Sequence, residues 1–302
     1  LGYEGVHGAL PSGGWGYLWT GDPDMGAGEA QPGGWTYSIL PFLEDSSVFQ
    51  IGEGLSISAN KQALIQQKTM PVKTFYCPSR RPAELSYGPE SSINSDPAPG
   101  GYVAKTDYAG NGGSVAPPEG LGIPWSSGPS LRCLQTYPDC EWGSYTASRV
   151  KFTDGVIAPR FPVSLEQITD GTSKTALVGE KYLRFDFYAQ IGTTLTVNSC
   201  VDNNSLYQGY DWDVIRWMNS GTGGRQARPR LQFDYVPQPD SFEDPSNCSV
   251  RFGSSHPGGF HAVFCDGSVQ HLTYDTDVEA LEFLFRRNDG GVSRIQDPFR
   301  GR

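Results

Sequence analysis

The chain has 302 residues and a net charge of −10, from 33 acidic and 23 basic side chains. This acidic balance offers no cationic surface for binding the phosphates of nucleic acids, so we expect no nucleic-acid partner. No stretch approaches the roughly 18 consecutive apolar residues of a membrane-spanning helix, while 38 Gly and 23 Pro indicate many loops and turns. Because the chain begins at Leu1 rather than at Met, we expect that an upstream segment, which would hold any targeting or anchoring signal, preceded it.

Turn residues and apolar spacing divide the first half of the chain. Residues 1–34 contain repeated Pro and Gly, which predict an irregular segment. Apolar residues at helical spacing over 35–43 and a Ser-capped pattern over 58–67 predict two short helices. Alternation over 72–77 predicts a strand. The turn-rich stretch 80–150 predicts a long ordered loop inserted into a single domain.

Two further elements are predicted near the centre of the chain. Ser164 and Gln167 have the spacing of a capping box, which predicts a short helix that ends at Asp170 and Gly171. A strand is expected over 175–182.

The clearest local pattern is a β-hairpin near the end of the chain. Residues 260–265 and 268–273 have the composition of strands and are separated by Asp266 and Gly267. An Asp-Gly pair between two strands predicts a type I′ turn with both residues at positive φ. A capping-box pattern then predicts a helix over 276–287.

The hairpin belongs to a longer motif, in which nine residues separate His256 from the pair Asp266 and Gly267. Three other blocks precede it in a fixed order, so that the matching sequence comprises Gly33–Glu44, Phe75–Ser79, Ile168–Glu180 and His256–Val269. Together these four blocks resemble the prepilin-type processing-associated H-X9-DG domain, a bacterial family of unknown function.

The resemblance implies a type II secretion pseudopilin or a type IV pilin-like protein. In such proteins a prepilin leader and a long hydrophobic N-terminal helix precede an α+β head with an antiparallel sheet. The segment Leu1–Leu10 resembles the last stretch of that N-terminal region. We therefore expect residues 1–302 to be one pilin-like head domain, with short helices, a late β-hairpin and long Gly/Pro-rich loops, attached to a membrane only through a missing N-terminal helix. The resemblance gives a structural role to the motif residues His256, Gly258, Gly259, Asp266, Gly267, Asp170 and Gly171.

A hydrolase is the first catalytic alternative. His256 has Ser254, Ser255 and Asp266 nearby in sequence, which are the residue types of a nucleophile, base and carboxylate. No G-x-S-x-G nucleophile elbow occurs, and the glycines after His256 are typical of a backbone turn. We therefore expect no enzymatic activity, and expect His256 to hydrogen-bond within the turn or to a nearby carboxylate.

A transition-metal site is the second alternative, and it would recruit His256, His261, His271 and Cys265. His261 and Cys265 are four residues apart, or about 13 Å on a strand, which is too far for one ion. His261 and His271 approach each other across the predicted hairpin. Half-exposed histidines on a sheet are the simpler interpretation.

We expect no cofactor, and calcium is the more plausible ion if one is bound, because acidic loops supply the hard oxygen ligands that it prefers. The candidate ligands are Asp22 and Asp24, Asp202 with Asn203 and Asn204, and Asp211 with Asp213. Asx-turns and helix caps explain the same residues equally well.

Six cysteines in loops favour an oxidising, extracellular or cell-surface location. The pairing is open, because six cysteines allow many connectivities. Cys133 and Cys140 are suited to a local disulfide, which would leave Cys200–Cys248 and Cys77–Cys265 as further pairs. Two glycosylation sequons begin at Asn203 and Asn247.

We therefore predict a non-enzymatic extracellular structural protein, a pilin-like or pseudopilin-like subunit that assembles into a filament or surface structure. Its partners would be copies of itself or other pseudopilins, with the loops at 1–34 and 80–150 as contact arms. The alternative is a carbohydrate-binding surface protein that recognises cell-surface polysaccharide through exposed Trp or Tyr. The chain has seven Trp, for which burial under the loops is the competing interpretation.

Overall fold

A computed structural model describes residues 1–89, 92–114, 127–143, 153–188, 200–219, 235–241 and 249–290. Within these ranges there are six α-helices: α1 (Gly2–His7), α2 (Trp35–Ser38), α3 (Ser46–Phe49), α4 (Ile57–Lys68), α5 (Cys133–Thr136) and α6 (Val278–Leu284). Every helix among the described residues is too short or too polar to cross a lipid bilayer.

Nine short strands accompany the helices: β1 (Ser86–Tyr87), β2 (Tyr102–Val103), β3 (Tyr108–Asn111), β4 (Ala176–Glu180), β5 (Ile215–Arg216), β6 (Gln238–Pro239), β7 (Gly253–Ser254), β8 (Gly259–Phe264) and β9 (Val269–Thr273). The main sheet has five strands in the order β5-β3-β4-β8-β9. Its pairs are antiparallel except β3 with β5. The fold is therefore α+β with a largely antiparallel sheet, as the sequence predicts.

Strand β8 separates two layers of the core because its side chains alternate between the faces of the sheet. Phe260 and Phe264 lie in a buried cluster that includes Phe285 at the end of α6. On the opposite face, Val263 lines a cleft beneath α1 together with Val178 of β4. The hairpin β8-β9 thus packs against helix α6 on one face and against the N-terminal region on the other.

The N-terminal half differs from the sequence predictions in three places. Helix α1 forms within a segment that was expected to be irregular. The cap of α4 is Ser56, whose Oγ accepts the N–H of Ala59, rather than Ser58. The predicted strand at 72–77 is instead a 3-10 helix, Lys73–Phe75, because the Phe75 N–H donates to the Val72 carbonyl at 3.0 Å.

The stretch 80–150, where a long loop was expected, supplies three strands, and β3 lies inside the main sheet. The sequence of β3 gives little sign of this because Gly110 stands in its centre, where glycine weakens a strand. A Cβ at Gly110 would lie 2.9 Å from Ile157 and 3.1 Å from the Trp35 ring. Close packing of that indole against the strand explains the glycine, and only the tertiary structure shows it.

The second half follows the predictions more closely. Ser164 and Gln167 form the capping box of a 3-10 helix, Leu165–Gln167. Strands β4, β8 and β9 lie where they were predicted. Helix α6 is shorter at both ends than the predicted range 276–287. Its cap is Asp277 rather than Thr276, and the Asp277 side chain accepts the Ala280 N–H at 3.0 Å.

A buried ionic network ties the segment after Cys77 to the sheet. Arg81 contacts Asp107 at 2.9 Å and Asp202 at 2.7 Å, and Lys181 contacts Asp202 at 2.8 Å. None of these side chains is more than 3% exposed. Burial acts to raise the pKa of Asp202, but Arg81, Lys181 and Lys105 hold it well below its usual range. Asp202 is therefore a carboxylate that the fold keeps ionised.

Candidate functional site

Three side chains from distant segments meet beside the end of β4. Cys77 follows the 3-10 helix Lys73–Phe75, Glu180 is the last residue of β4, and His256 lies between β7 and β8. One ligand atom from each of them lies within 4.8 Å of the other two. Among the residues that the structure describes, this is the one group of three or more His, Cys, Asp or Glu side chains with metal-binding spacing.

Glu180 is the centre of this cluster, and its side chain is only 3% exposed. Its Oε2 accepts the backbone N–H of His261 at 2.7 Å and lies 3.2 Å from His261 Nδ1. Its Oε1 lies 3.6 Å from His256 Nε2. His256 therefore lies beside a carboxylate, but the 3.6 Å separation is longer than the hydrogen bond that the sequence predicts.

The histidines are positioned by the backbone of the hairpin and of the turn before it. The His256 N–H donates to Ser254 Oγ at 3.0 Å, and Ser254 Oγ donates to the Gly259 carbonyl at 2.8 Å. His261 and His271 face each other across β8 and β9, with ring centroids 5.1 Å apart. Their predicted approach is confirmed.

Cys77 is a free and buried thiol. Burial raises the pKa of this thiol, whereas a hydrogen bond from the Ser79 backbone N–H to the sulfur lowers it. A protonated thiol is a poor nucleophile, because catalytic cysteines work as thiolates with a lowered pKa. The raised pKa therefore argues against a cysteine nucleophile, while the close grouping of a sulfur, an imidazole and a carboxylate is the arrangement of a set of metal ligands.

Position 259 requires glycine because strand β9 lies very close to its backbone. A Cβ at this position would overlap the Leu272 carbonyl oxygen and lie 2.8 Å from His271 Nε2. A Cβ at Gly258 would meet no atom within 4 Å. Of the two motif glycines, Gly259 is therefore the one at which a side chain would collide with the neighbouring strand.

The turn of the hairpin differs from its prediction. Gly267 has a φ of 89°, but Asp266 does not adopt a positive φ, so the predicted type I′ turn is wrong. The Gly267 N–H donates to the Phe264 carbonyl at 2.9 Å, and the Phe264 N–H donates to the Ser268 carbonyl at 2.8 Å. This is a three-residue loop with glycine in the left-handed position. Asp266 stabilises it by accepting the Ser268 N–H at 2.9 Å.

Asp170 holds the backbone that follows helix α6, and Gly171 allows the turn beside it. The Asp170 carboxylate accepts the backbone N–H groups of Asp289 and Gly290 at 2.8 and 3.1 Å. Gly171 has a φ of 100°, which favours glycine.

The candidate calcium ligands accept hydrogen bonds from backbone N–H groups, and Asp22 does so as the cap of the 3-10 helix Pro23–Met25. Asp22 accepts the N–H of Asp24 at 3.1 Å, and burial raises its pKa to about 6. The Asp24 carboxylate accepts the Gly54 N–H at 3.0 Å. Asp211 accepts the Trp212 N–H at 2.6 Å, and Asp213 accepts the Asn204 N–H at 2.7 Å.

The cysteine pairing is confirmed in one place and wrong in another. Cys133 and Cys140 form a disulfide. The predicted pair Cys77–Cys265 is wrong, because both are free thiols in the buried interior. Cys200 is disulfide-bonded, while Cys248 lies outside the described residues.

Neither the sequons nor the tryptophans present an exposed recognition group among the described residues. Asn203 is half-buried, and Asn247 lies outside the described ranges. Of the tryptophans, Trp125 lies outside these ranges, Trp142 and Trp212 are half-buried, and the buried ones are Trp15, Trp19, Trp35 and Trp217. The described tryptophans therefore give no support to the sugar-binding alternative.

An exposed apolar patch surrounds α1 and the hairpin turn. We define it by four side chains that are 62%, 70%, 38% and 68% exposed: Leu1, Val6, Phe42 and Val269. Leu1 Cδ1 would lie 2.9 Å from a Cβ at Gly267, so the start of the chain rests on the turn. The Phe42 ring packs edge-on against Tyr3 of α1. Leu1 and Phe42 therefore lie against the turn and α1, Val6 belongs to α1, and Val269 begins the strand that follows the turn.

A family model matches residues 1–279, and its description is SBP_bac_10, protein of unknown function (DUF1559). The chain belongs to this DUF1559 family. Neither a curated protein nor a solved structure matches it.

Sequence reasoning identified one of the three clustered residues of this DUF1559 chain and missed its partners. His256 was a candidate metal ligand, but Cys265 was grouped with it instead of Cys77. Glu180 was not singled out at all. The three residues lie in three of the matched blocks, Phe75–Ser79, Ile168–Glu180 and His256–Val269, and this distribution was the available signal.

Proposed function

We propose that this chain is a non-enzymatic structural subunit of an extracellular or cell-surface assembly, of the pilin or pseudopilin type, and that it packs against copies of itself. The observation that carries the proposal is the exposed apolar patch formed by Leu1, Val6, Phe42 and Val269. A contiguous apolar surface on a soluble domain is typical of a protein interface.

The geometry around the patch favours a second copy as the occupant. Strand β9 lies at the edge of the main sheet, and its sequence Val269–Thr273 contains no Lys, Arg, Asp, Glu or Pro. These are the residues that protect edge strands from pairing with another chain. Behind the patch, a cleft of about 280 Å³ with apolar walls lies between α1 and the sheet and offers a recess for a neighbour's side chain.

A surface location agrees with the covalent chemistry of the chain. Disulfides persist in oxidising compartments and are rare in the cytosol. The disulfide Cys133–Cys140 closes a local loop next to the buried Trp15 and Trp19, where it supports a segment with few aliphatic side chains.

The test compares the association of matched variants by sedimentation velocity and negative-stain electron microscopy. Val269→Glu places a charge in the patch, and Leu85→Glu places one on an exposed leucine outside it. Burying a valine contributes about 1.5–3 kcal/mol, so Val269→Glu is expected to raise the dissociation constant roughly 10- to 150-fold. Leu85→Glu is expected to change it by less than about 3-fold.

Two results would contradict the proposal. The first is a wild-type chain that stays monomeric at every concentration. The second is an equal effect of the two glutamates, since that would report charge in general rather than loss of one interface.

A further inference from the structure

We propose that Cys77, Glu180 and His256 bind one divalent transition-metal ion of the zinc type. This site is separate from the apolar patch, and the proposal does not depend on self-assembly. It assigns a chemical role to the one described cluster whose ligand atoms converge within 4.8 Å.

The ligand types select the class of metal. A thiolate, an imidazole and a carboxylate are the three ligands that zinc uses in proteins. Calcium and magnesium take oxygen ligands, so the sulfur of Cys77 argues against them. Soft and borderline metals prefer sulfur and nitrogen donors.

The separation of His256 and Glu180 agrees with a coordination sphere better than with a direct hydrogen bond. His256 Nε2 and Glu180 Oε1 are 3.6 Å apart, which exceeds the usual hydrogen-bond length. Ligands around a tetrahedral zinc ion, at about 2.0–2.3 Å from the metal, are about 3.3–3.7 Å from one another. The His256–Glu180 separation already has this value.

Neighbouring groups hold the ligands in place. His261 binds Glu180 Oε2 through its backbone N–H at 2.7 Å, which directs Oε1 toward His256. The Cys77 backbone N–H donates to Asp107 Oδ2 at 2.9 Å, which fixes the backbone that carries the sulfur. Such outer-shell hydrogen bonds orient metal ligands and are typical of protein metal sites.

Access to the site is from the His256 side. The His256 side chain is 35% exposed, whereas that of Glu180 is 3% exposed and Cys77 is buried. Three protein ligands with one solvent-facing side leave a fourth position for water or another small ligand. Coordination forms a metal–sulfur bond and releases the Cys77 thiol proton to solvent.

The test uses the chelator-treated full chain with Co(II) as a spectroscopic probe and Zn(II) as competitor. We expect one Co(II) per chain, with the near-ultraviolet charge-transfer absorption of a cobalt–thiolate bond, which Zn(II) abolishes. Cys77→Ser is expected to remove this band. The matched control is Cys265→Ser, which alters the other buried free thiol and is expected to leave the band intact.

The histidines give a second comparison. His261→Gln removes the imidazole Nδ1 that lies 3.2 Å from Glu180 Oε2 but keeps the backbone N–H that also bonds this oxygen. It is therefore expected to weaken Zn(II) binding about 10-fold, the lower end of the range for outer-shell partners. His271→Gln is the control, because the His271 ring lies against His261 while the described ion pairs of Glu180 are with His256 and His261. This substitution is expected to change the affinity for Zn(II) by less than about 3-fold.

Circular dichroism of each variant checks that it is folded. The Co(II) absorption spectrum of the wild-type chain tests the proposal even if a variant does not fold. A wild-type Co(II) spectrum without the thiolate band overturns the proposal. Loss of the band in Cys265→Ser, with the band retained in Cys77→Ser, overturns it as well.

Discussion

Replacing Asp202 by Asn tests whether the buried ionic network holds the fold together. In the native chain the Asp202 carboxylate accepts bonds from Arg81 at 2.7 Å and 3.3 Å and from Lys181 at 2.8 Å. Asn has nearly the same volume but no charge. The substitution therefore removes the salt-bridge partner of the buried Lys181, while Arg81 keeps its contact with Asp107.

The magnitude follows from this loss of charge. A hydrogen bond to a charged group contributes about 1.5–3 kcal/mol, and Asn keeps one oxygen that can still accept a bond. Removing one partner of a buried pair typically costs about 3–5 kcal/mol. We expect Asp202→Asn to lower the free energy of unfolding by that amount.

The assay is equilibrium urea unfolding, followed by tryptophan fluorescence, with Asp186→Asn as the control. Asp186 pairs with Arg184 at 2.8 Å, but the two side chains are 25% and 17% exposed. A pair at the surface contributes about 0–1 kcal/mol. Equal losses in the two variants, or a loss below about 1 kcal/mol in Asp202→Asn, would refute the reasoning.

The sign of the pH dependence gives an independent check. The folded chain holds the pKa of Asp202 below its usual range, so its contribution to stability is complete above the unfolded pKa of about 3.9. It is lost as the pH falls below that value toward the folded pKa. The wild-type chain is therefore expected to lose more stability than Asp202→Asn between about pH 5 and pH 3.

Two further predictions concern the disulfide and the hairpin. Changing both Cys133 and Cys140 to Ser opens a loop with a sequence separation of 7. This is expected to lower the free energy of unfolding by about 2–3 kcal/mol according to the loop-entropy relation. An unfolding midpoint equal to that of the wild type would contradict this prediction. Gly259→Ala places a methyl group against the Leu272 carbonyl, so it is expected to cost about 1–3 kcal/mol. Gly258→Ala, measured in the same thermal melts, is expected to have little effect because its Cβ meets no atom within 4 Å, and equal shifts would show that close packing is not the reason for the glycine.

Local signals predicted those elements whose stabilising contacts lie within a few residues. The capping box of Ser164 and Gln167 is an example, because both of its hydrogen bonds join residues three apart. The disulfide Cys133–Cys140 is another. The hairpin strands were also predictable, but its turn was not, because the Asp266 side chain selects a three-residue loop by accepting hydrogen bonds from Ser268.

Elements that depend on distant partners were not predictable in this way. Strand β3 has Gly110 at its centre and becomes a strand because β4 and β5 pair with it on either side. The 3-10 helix Lys73–Phe75 interrupts an alternating pattern that predicts a strand. In both cases long-range packing overrides the local preference.

The sequence by itself determined the acidic balance, the late hairpin and the histidine that begins the motif, because composition and short spacings carry this information, whereas the α+β class was implied by the resemblance of four blocks to a known family. Only the tertiary structure decided that Cys77 and Glu180 are the neighbours of His256. The reason is geometric: Cys77 and Glu180 are about a hundred residues apart in the chain, and pairing of β3 with β4 and of β4 with β8 is what brings their segments to one point.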